Sequence, residues 1–331
     1  MAEYINIRGQ SIEVVASDPA NPTLGQIWYN STSNTLKGLG VGVGSWSSGG
    51  NLNTSRVYPV ATGTQTATLS ATGDDPGAGQ TGASVESYNG STWTSLSNAP
   101  TARRLAAGAG TQTASLIFGG HIPGQPTEQS TATEEYDGST WTTGGAMTNK
   151  RNQFWGNGVQ TAALAVAGAY PGPPTGYFNQ TEEYDGSTWT AGGNMVTARY
   201  QHTSFGTQTA AIGVGGTATG IIATSEQYDG SSWTTGNASN TARNLASAFG
   251  TQTNGVLALG NTPPYTAETE QYNGTSWTIS PASLSTARFG AGGTGPTGST
   301  GIVAGGYITA NSAATEEWTG PTPQTKTITA S

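Results

Sequence analysis

Short apolar runs recur along the chain and are separated by turns rich in Gly, Asn, Asp and Thr. Examples are Ser115–Phe118, Leu164–Ala167 and Ile212–Val214, each followed directly by Gly. Runs this short between turn signals are typical of β-strands and are too short for helices. The pattern therefore predicts an all-β chain.

One motif organises these runs. It reads Glu-Glu-Tyr-Asp-Gly-Ser-Thr-Trp at 134–141 and returns with small changes at 86–93, 182–189, 226–233 and 270–277. A truncated copy at 316–320 carries Trp318 in place of Tyr and lacks the final Trp. Asp-Gly or Asn-Gly between apolar residues is a strong β-hairpin signal. Each copy is therefore predicted to be two strands joined by a tight turn.

The motif belongs to a longer repeat. Its Trp recurs at positions 46, 93, 141, 189, 233 and 277, which are 44 to 48 residues apart, and an Arg follows each Trp ten or eleven residues later. Seven residues after each Arg, a Gly opens a polar turn, which most often reads Gly-Thr-Gln-Thr. Each repeat therefore predicts four antiparallel strands, and an array at this spacing is typical of a β-propeller.

The order of apolar run, Gly-Gly, loop, Tyr-Asp and Trp, with an Arg before the next run, resembles the kelch repeat. The resemblance covers residues 46–320 and implies a six-bladed kelch-like β-propeller with four-stranded antiparallel blades. Because the sixth repeat lacks its last strand, we predict that the strand around Trp46 completes it beside Glu316–Trp318. The C-terminal segment Gln324–Thr329 also alternates like a strand and is the alternative for the same place.

Residues 1–45 have no later copy in the chain. Ile5–Arg8 alternates like a short strand, and Gly25–Lys37 is typical of a β-hairpin. We interpret 1–45 as an N-terminal adaptor or attachment segment and 46–331 as the propeller. The alternative is that 1–45 covers one flank of the repeat array.

Residues shared by the repeats are predicted to hold the scaffold, because an active site needs one asymmetric constellation. We expect six structural Arg–Glu ion pairs, with an anion-binding ring as the alternative, and a Trp in the core of each blade. The residues concerned are Arg56, Arg103, Arg151, Arg199, Arg243, Arg288, Glu86, Glu134, Glu182, Glu226, Glu270, Glu316, Trp46, Trp93, Trp141, Trp189, Trp233 and Trp277.

Composition narrows the function. The chain has 331 residues, 50 Gly, no Cys and a net charge of −8. An acidic chain is poorly suited to nucleic acid, and without Cys there is no thiolate metal site or Cys nucleophile. The sequence shows neither a signal-peptide pattern nor an apolar run long enough to span a membrane. We expect synthesis in the cytoplasm and no membrane insertion.

Candidate chemistry is sparse. His121 and His202 lack metal-ligand spacing, so we expect no metal and no cofactor. Asp74, Asp75 and Glu128 lie off the repeat pattern and are the candidates for a pair of glycosidase carboxylates. We interpret them as solvated turn acids and predict that the protein is not an enzyme.

The connections between the second and third strands, here called the 2–3 loops, differ in length and content between repeats. The 1–2 and 3–4 turns are nearly uniform and are expected on the opposite rim. Variation confined to one face often marks the binding face of a repeat protein. The candidate binding residues are His121, Tyr170, Tyr177, Phe178, Tyr265 and Tyr307.

The hairpin segment Gly25–Lys37 resembles hairpins of phage fibre and tail proteins, and the Thr/Ser/Gly-rich composition is similar to virion proteins of tailed phages of marine cyanobacteria. This implies a virion structural appendage (tail fibre, tail or capsid-decorating protein) present in many copies on a symmetric particle. Residues 1–45 would dock on capsid or tail proteins, and the 2–3 loops would bind a host-surface glycan or protein or a neighbouring protein. Two alternatives are a polysaccharide-degrading enzyme and a bacterial kelch-type interaction module.

Overall fold

The computed structural model describes residues 12–75, 81–124, 128–170 and 176–328, which form 28 β-strands in seven four-stranded sheets. The chain divides into two units. One unit is Ser45–Gly320, and the other comprises the described parts of Met1–Gly44 and Pro321–Ser331. The described residues contain no helix long and apolar enough to cross a membrane.

Six sheets lie in Ser45–Gly320 and share one plan, in which four neighbouring strands pair antiparallel. The first three sheets are β5 (Val60–Thr64), β6 (Ala67–Ala71), β7 (Val85–Tyr88) and β8 (Trp93–Leu96); β9 (Ala107–Gly110), β10 (Ser115–Phe118), β11 (Thr133–Tyr136) and β12 (Trp141–Thr143); and β13 (Trp155–Val159), β14 (Ala162–Tyr170), β15 (Gly176–Tyr184) and β16 (Trp189–Ala191). The other three are β17 (Thr203–Gly206), β18 (Ala211–Val214), β19 (Ser225–Tyr228) and β20 (Trp233–Thr235); β21 (Ser247–Thr251), β22 (Asn254–Asn261), β23 (Tyr265–Tyr272) and β24 (Trp277–Ile279); and β25 (Gly292–Thr297), β26 (Thr300–Ala304), β27 (Thr315–Thr319) and β4 (Ser45–Ser48).

The first strands of the six sheets follow one another in a closed circle, in which β25 returns to contact β5. The second strand of each sheet is almost wholly buried, as in Ser115–Phe118 and Ala211–Val214. The apolar core fills the spaces between neighbouring sheets: one cluster joins Leu116 and Phe118 of the second sheet to Phe154 and Trp189 of the third. Burial of these side chains holds neighbouring sheets together.

The sixth sheet closes the circle with β4, which pairs antiparallel with β27 and sets Trp46 opposite Trp318. The two rings lie 5.2 Å apart, close to the spacing of the Tyr–Trp pairs in the other five sheets. The Gln65 side chain of the first sheet donates to the Trp318 carbonyl at 2.8 Å. The strand at Trp46, and not the C-terminal segment, therefore completes the last repeat, as predicted.

The seventh sheet was not predicted. It contains β1 (Glu13–Val15), β2 (Ile27–Asn30), β3 (Thr35–Val41) and β28 (Pro323–Ile328), with β1 parallel to β2 and the other pairs antiparallel. The N-terminal hairpin is thus part of a four-stranded sheet. The prediction that the tail from Pro321 onward belongs to the propeller is wrong, because this segment is part of the smaller unit. The strand predicted at Ile5–Arg8 lies outside the described residues.

Asp18 stabilises this small sheet from its connecting loop. Its carboxylate accepts hydrogen bonds from Lys37 at 2.8 Å, Asn30 at 2.7 Å and the indole nitrogen of the buried Trp28 at 3.1 Å. These bonds, with the one from Lys37 largest, lower the pKa of Asp18 to about 2.

Tight turns join the third and fourth strands, as the Asp-Gly and Asn-Gly motifs predict. In the second sheet, Asp137 Oδ1 accepts the backbone N–H groups of Ser139 at 2.8 Å and Thr140 at 2.7 Å. Gly138 supplies the positive φ of +95° that the turn requires. The Thr140 and Ser139 hydrogen bonds hold the pKa of Asp137 well below its usual range.

The Trp of the fourth strand also joins neighbouring sheets through its indole N–H. Four of these Trp side chains donate to a Thr hydroxyl of the preceding sheet at 2.8–3.0 Å: Trp93 to Thr315, Trp189 to Thr133, Trp233 to Thr181 and Trp46 to Thr269. Val85 occupies the equivalent place before Trp141, whose buried indole nitrogen has no partner among the described residues. The missing hydroxyl accounts for the unpaired donor of Trp141. The Trp277 indole nitrogen is also unpaired, although Ser225 stands at the equivalent place; the Ser225 hydroxyl donates to the Asn237 carbonyl at 2.6 Å instead.

We expect Val85→Thr to raise the free energy of unfolding by about 1 kcal/mol, because it supplies the Trp141 indole with an acceptor at nearly constant volume. The reverse change, Thr133→Val, removes the acceptor of Trp189 and should lower stability by about 1–3 kcal/mol. Urea denaturation of both variants and the wild type checks the pair. A destabilised Val85→Thr protein would contradict this account of the Trp141 indole.

Candidate functional site

Strand direction places the 2–3 loops and the connections entering each first strand on one rim, here called the loop rim. The 1–2 and 3–4 turns lie on the opposite rim, here called the turn rim. The repeated Arg and Glu residues stand at the loop-rim end of the sheets. Each Arg bonds the Glu of its own sheet at 2.5–2.8 Å: Arg56–Glu86, Arg103–Glu134, Arg151–Glu182, Arg199–Glu226, Arg243–Glu270 and Arg288–Glu316.

The fourth sheet shows how such a pair is used. Arg199 donates to Glu226 at 2.5 Å and also to the carbonyls of Gly215 and Thr224, on either side of the 2–3 loop. The Glu226 oxygens accept the backbone N–H groups of Val196 and Thr197 in the entering connection. Burial lowers the pKa of Arg199, and Glu226 opposes that effect. The pair therefore fastens the entering connection to the second and third strands.

The backbone of the same Arg links neighbouring sheets. The second Gly of each Gly-Gly site, or its remaining single Gly, donates to the carbonyl of the Arg in the next sheet; for example, Gly216 donates to Arg243 at 2.9 Å and Gly306 to Arg56 at 2.8 Å. Gly216 has φ +93°, and a Cβ there would lie 2.7 Å from the Cβ of His202. The position therefore requires glycine.

The second sheet departs from this pattern at one atom. Glu134 Oε2 is buried without a hydrogen bond to any described residue. In the other five sheets, the residue three before the Arg donates its backbone N–H to this oxygen. Pro100 stands at that place before Arg103 and has no N–H to give.

Arg199→Ala is expected to lower the free energy of unfolding by about 3–5 kcal/mol, because it leaves the Glu226 carboxylate buried without its cation. The double variant Arg199→Ala/Glu226→Ala should lose less than the sum of the two single losses. Chemical denaturation of all three proteins measures this coupling.

Arg104→Ala is the matched control, since Arg104 forms a partly exposed ion pair with Asp74, which should contribute about 0–1 kcal/mol. Equal losses from Arg199→Ala and Arg104→Ala would contradict the structural role of the repeated pair.

Two residues after each Arg, the backbone turns into the left-handed region. The residues are Tyr58, Leu105, Gln153, Gln201, Leu245 and Gly290, with φ between 51° and 66°. Each of five donates its N–H to the carbonyl of the previous member at 2.7–3.0 Å, from Gln153 round the circle to Tyr58. Together they line a cavity of about 40 Å³, which has room for about one water molecule. We call this set the axial ring; it surrounds the centre at the loop rim.

His202 follows the axial ring residue Gln201. It is 2% exposed, and neither ring nitrogen has a hydrogen-bond partner among the described residues. Burial, followed by the charges of Arg199 and Arg151, lowers the pKa of His202 to about 3. Phe154 occupies the equivalent place in the previous sheet. The imidazole therefore serves as a neutral core side chain.

Acid should destabilise the protein through His202. The unfolded chain takes up a proton near the ordinary pKa of 6.5, which the folded imidazole accepts only near 3. Stability due to this group is therefore lost as the pH falls from 6.5 towards 3, with a slope of about 1.4 kcal/mol per pH unit. His202→Phe should remove that contribution. Denaturation of both proteins across this pH range checks it, and parallel stability curves would show that His202 has no such role.

An aromatic cluster breaks the symmetry of the loop rim. Phe289 packs against Tyr58, Tyr265 and Tyr307 at centroid distances of 6.1, 4.7 and 5.4 Å. All four side chains are half-buried, and none of the three phenol hydroxyls bonds to another described residue. We call these four residues the Phe289 cluster. It offers apolar faces together with free hydroxyl groups.

Charged groups border the Phe289 cluster at Tyr58. Asp74 forms an ion pair with Arg104 at 3.2 Å, and burial raises the pKa of Asp74 despite this partner. Burial, assisted by the charge of Asp74, raises the pKa of Tyr58 to about 12. His121 pairs with Arg104 through the backbone and contacts Glu128 at 3.0 Å. Hydrogen-bond donors and acceptors therefore both adjoin the aromatic surface.

The other predicted binding residues form a second group in the third and fourth sheets. Tyr170 stacks on Phe178 at 5.5 Å, and Phe178 also lies 5.7 Å from the Arg151 guanidinium. Tyr177 packs against Tyr200 at 5.5 Å and donates to the Ala218 carbonyl at 2.8 Å. Tyr170 and Tyr177 are the most exposed of these rings.

The structure thus brings Tyr265 and Tyr307 together and leaves His121 with the charged group. Sequence reasoning missed Phe289, Tyr58 and Arg104. All three come one or two residues after a repeated Arg, where the residue type changes from sheet to sheet. The sequence did contain a signal for them: the residue type varies at these positions although the neighbouring Arg is constant, and these positions lie on the same rim as the 2–3 loops.

The described residues contain no group of three or more His, Asp or Glu side chains placed to hold a metal ion. Of the three off-pattern acids, Asp74 is paired with Arg104, Glu128 with His121, and Asp75 accepts from Ser84 at 3.3 Å.

No family model and no curated protein matches the chain. Among solved structures, the chain is similar to the structure of YjhT, with a TM-score of 0.69 and 11% identity over 83% of this chain and 99% of that chain. The fold is a β-propeller. At this identity the similarity shows the fold alone.

Proposed function

We propose that this protein is a non-enzymatic binding propeller of the kelch type, with six blades and a separate N-terminal sheet, that forms part of a virion appendage. The loop rim binds the host surface, and the N-terminal sheet docks on capsid or tail proteins. The supporting observation is the Phe289 cluster, which is built from variable positions on the loop rim. The six repeated Arg–Glu pairs, by contrast, are buried and bonded to each other, so their charges are not available to a ligand.

A surface glycan suits the Phe289 cluster best. Aromatic faces pack against the C–H faces of sugar rings, and the free phenol hydroxyls together with Asp74 and Arg104 can hydrogen-bond to sugar hydroxyls. Tyr and Arg are also the residue types that dominate binding energy at protein surfaces. A neighbouring virion protein is the other partner that this surface could accept.

A polysaccharide-degrading activity is the second candidate. The observation in its favour is the raised pKa of Asp74, since a general acid needs a carboxyl group that remains protonated. Against it, Asp74 is held by Arg104, which favours the ionised form. Release of oligosaccharides from host polysaccharide separates the two functions.

Binding of the purified protein to host cells tests the proposal. Tyr265→Ala/Tyr307→Ala should weaken binding at least tenfold, because these rings supply the open edge of the Phe289 cluster. Ile279→Ala, which shortens an exposed apolar side chain on a fourth strand, is the matched control and should bind normally. Equal binding by all three proteins would overturn the assignment of the surface.

Two further measurements separate the alternatives. Purified particles of the source phage should contain this chain as a stoichiometric band, whereas its absence would favour a bacterial interaction module. Incubation with host polysaccharide should release no new reducing ends; release that is lost on Asp74→Asn would favour the enzyme.

A further inference from the structure

A second cavity lies at the centre of the ring, away from the Phe289 cluster. It has a volume of about 650 Å³ and is bounded by the first strands of all six sheets. It extends from Trp155 to the 1–2 turns, as at Thr64 and Thr207, and so reaches the turn rim. At the opposite end, the axial ring leaves only the small space of about 40 Å³. The volume lies within the range of small-molecule binding sites.

The wall of this cavity is uncharged and more apolar than polar. None of its lining residues is Asp, Glu, Lys, Arg or His. The first strand is the inner edge of each sheet, and its backbone pairs with the second strand alone, while some carbonyls also accept a side-chain hydroxyl, as Gly63 does from Thr294 at 2.9 Å. Its other edge therefore presents peptide N–H and C=O groups towards the centre, and such groups need partners. The hydroxyls of Thr64 and Thr207 add further donors and acceptors near the mouth.

Trp155 makes the cavity asymmetric. The equivalent positions in the other five sheets carry Val60, Ala107, Thr203, Ser247 and Gly292. Trp155 is half-buried and lines both this cavity and the small one inside the axial ring, so it lies where the two spaces meet. The indole nitrogen makes no hydrogen bond to a described residue, and it is not fully buried. Trp155 therefore adds a large aromatic residue with an unpaired indole donor to the lining of the cavity.

These features restrict the chemistry of an occupant. An ionised ligand would lose its hydration without gaining a countercharge, which is strongly unfavourable. A hydrocarbon would leave the peptide groups of the wall unpaired. A neutral molecule that carries both hydroxyl groups and C–H faces matches an uncharged wall of apolar side chains and peptide groups, and its C–H face can pack on Trp155.

We propose that the central cavity binds a neutral saccharide of one or two sugar units, entering from the turn rim and stacking on Trp155. This site is separate from the Phe289 cluster, and it does not depend on the proposed function of the loop rim.

Titration calorimetry with glucose, galactose, N-acetylglucosamine, maltose and cellobiose tests the site, with glucuronic acid as the charged counterpart. We expect at least one neutral probe to bind in the millimolar range or tighter and the charged probe to bind at least tenfold more weakly. Absence of binding by all neutral probes, or equal binding of glucuronic acid, would overturn the proposal.

Trp155→Ala should weaken that binding by about tenfold or more. The fold should survive, because Ala107 occupies the equivalent place. Thr207→Trp provides a second variant, which narrows the exposed mouth without changing Trp155 and should also reduce binding. Unchanged affinity in both variants would exclude the cavity as the binding site.

Tyr265→Ala/Tyr307→Ala is the control that separates the two sites. It should bind the small saccharide as the wild type does, even though we expect it to lose host-cell binding. Loss of saccharide binding in this variant would place the sugar at the loop rim and overturn the inference about the cavity.

Discussion

The buried Arg–Glu pair is the interaction on which the ring depends. The Arg side chain holds the Glu and the carbonyls flanking the 2–3 loop of its own sheet, and the Glu holds the backbone that enters that sheet. The Arg carbonyl meanwhile accepts a hydrogen bond from the glycine site of the preceding sheet. One residue thus fixes the position of a sheet and its neighbour. Because both charges are buried, the pair tolerates loss of neither partner.

The repeated pair also explains where variation is tolerated. The Arg–Glu pair, the glycine site and the axial ring fix the backbone at the loop rim. The residue after each Arg can therefore change while the backbone keeps its position. Val57, Arg104, Asn152, Tyr200, Asn244 and Phe289 occupy that position. Different chemistry therefore appears in different sectors of one rim. The Phe289 cluster and the Asp74–Arg104 pair are two such sectors.

Three sheets depart from the common plan at single positions, and each departure has its cause in one residue. Pro100 lacks the N–H that would satisfy Glu134, and Val85 lacks the hydroxyl that would satisfy the Trp141 indole. Trp155 replaces a small residue and changes the shape of the central cavity. None of these substitutions breaks the repeat pattern, so pattern reasoning passes over them. Their effects on hydrogen bonding and cavity shape depend on contacts that exist only in the folded protein.

The strand plan, the Arg–Glu pairs and the strand that completes the last sheet could be predicted from the sequence, because each rests on a spacing that recurs at every repeat. The seventh sheet could not, since β28 and β3 are joined by a pairing that occurs once and spans most of the chain. The Phe289 cluster could not be predicted either, because its members come from different repeats. They meet only in the folded protein, where closing the circle of sheets brings the first and sixth repeats side by side.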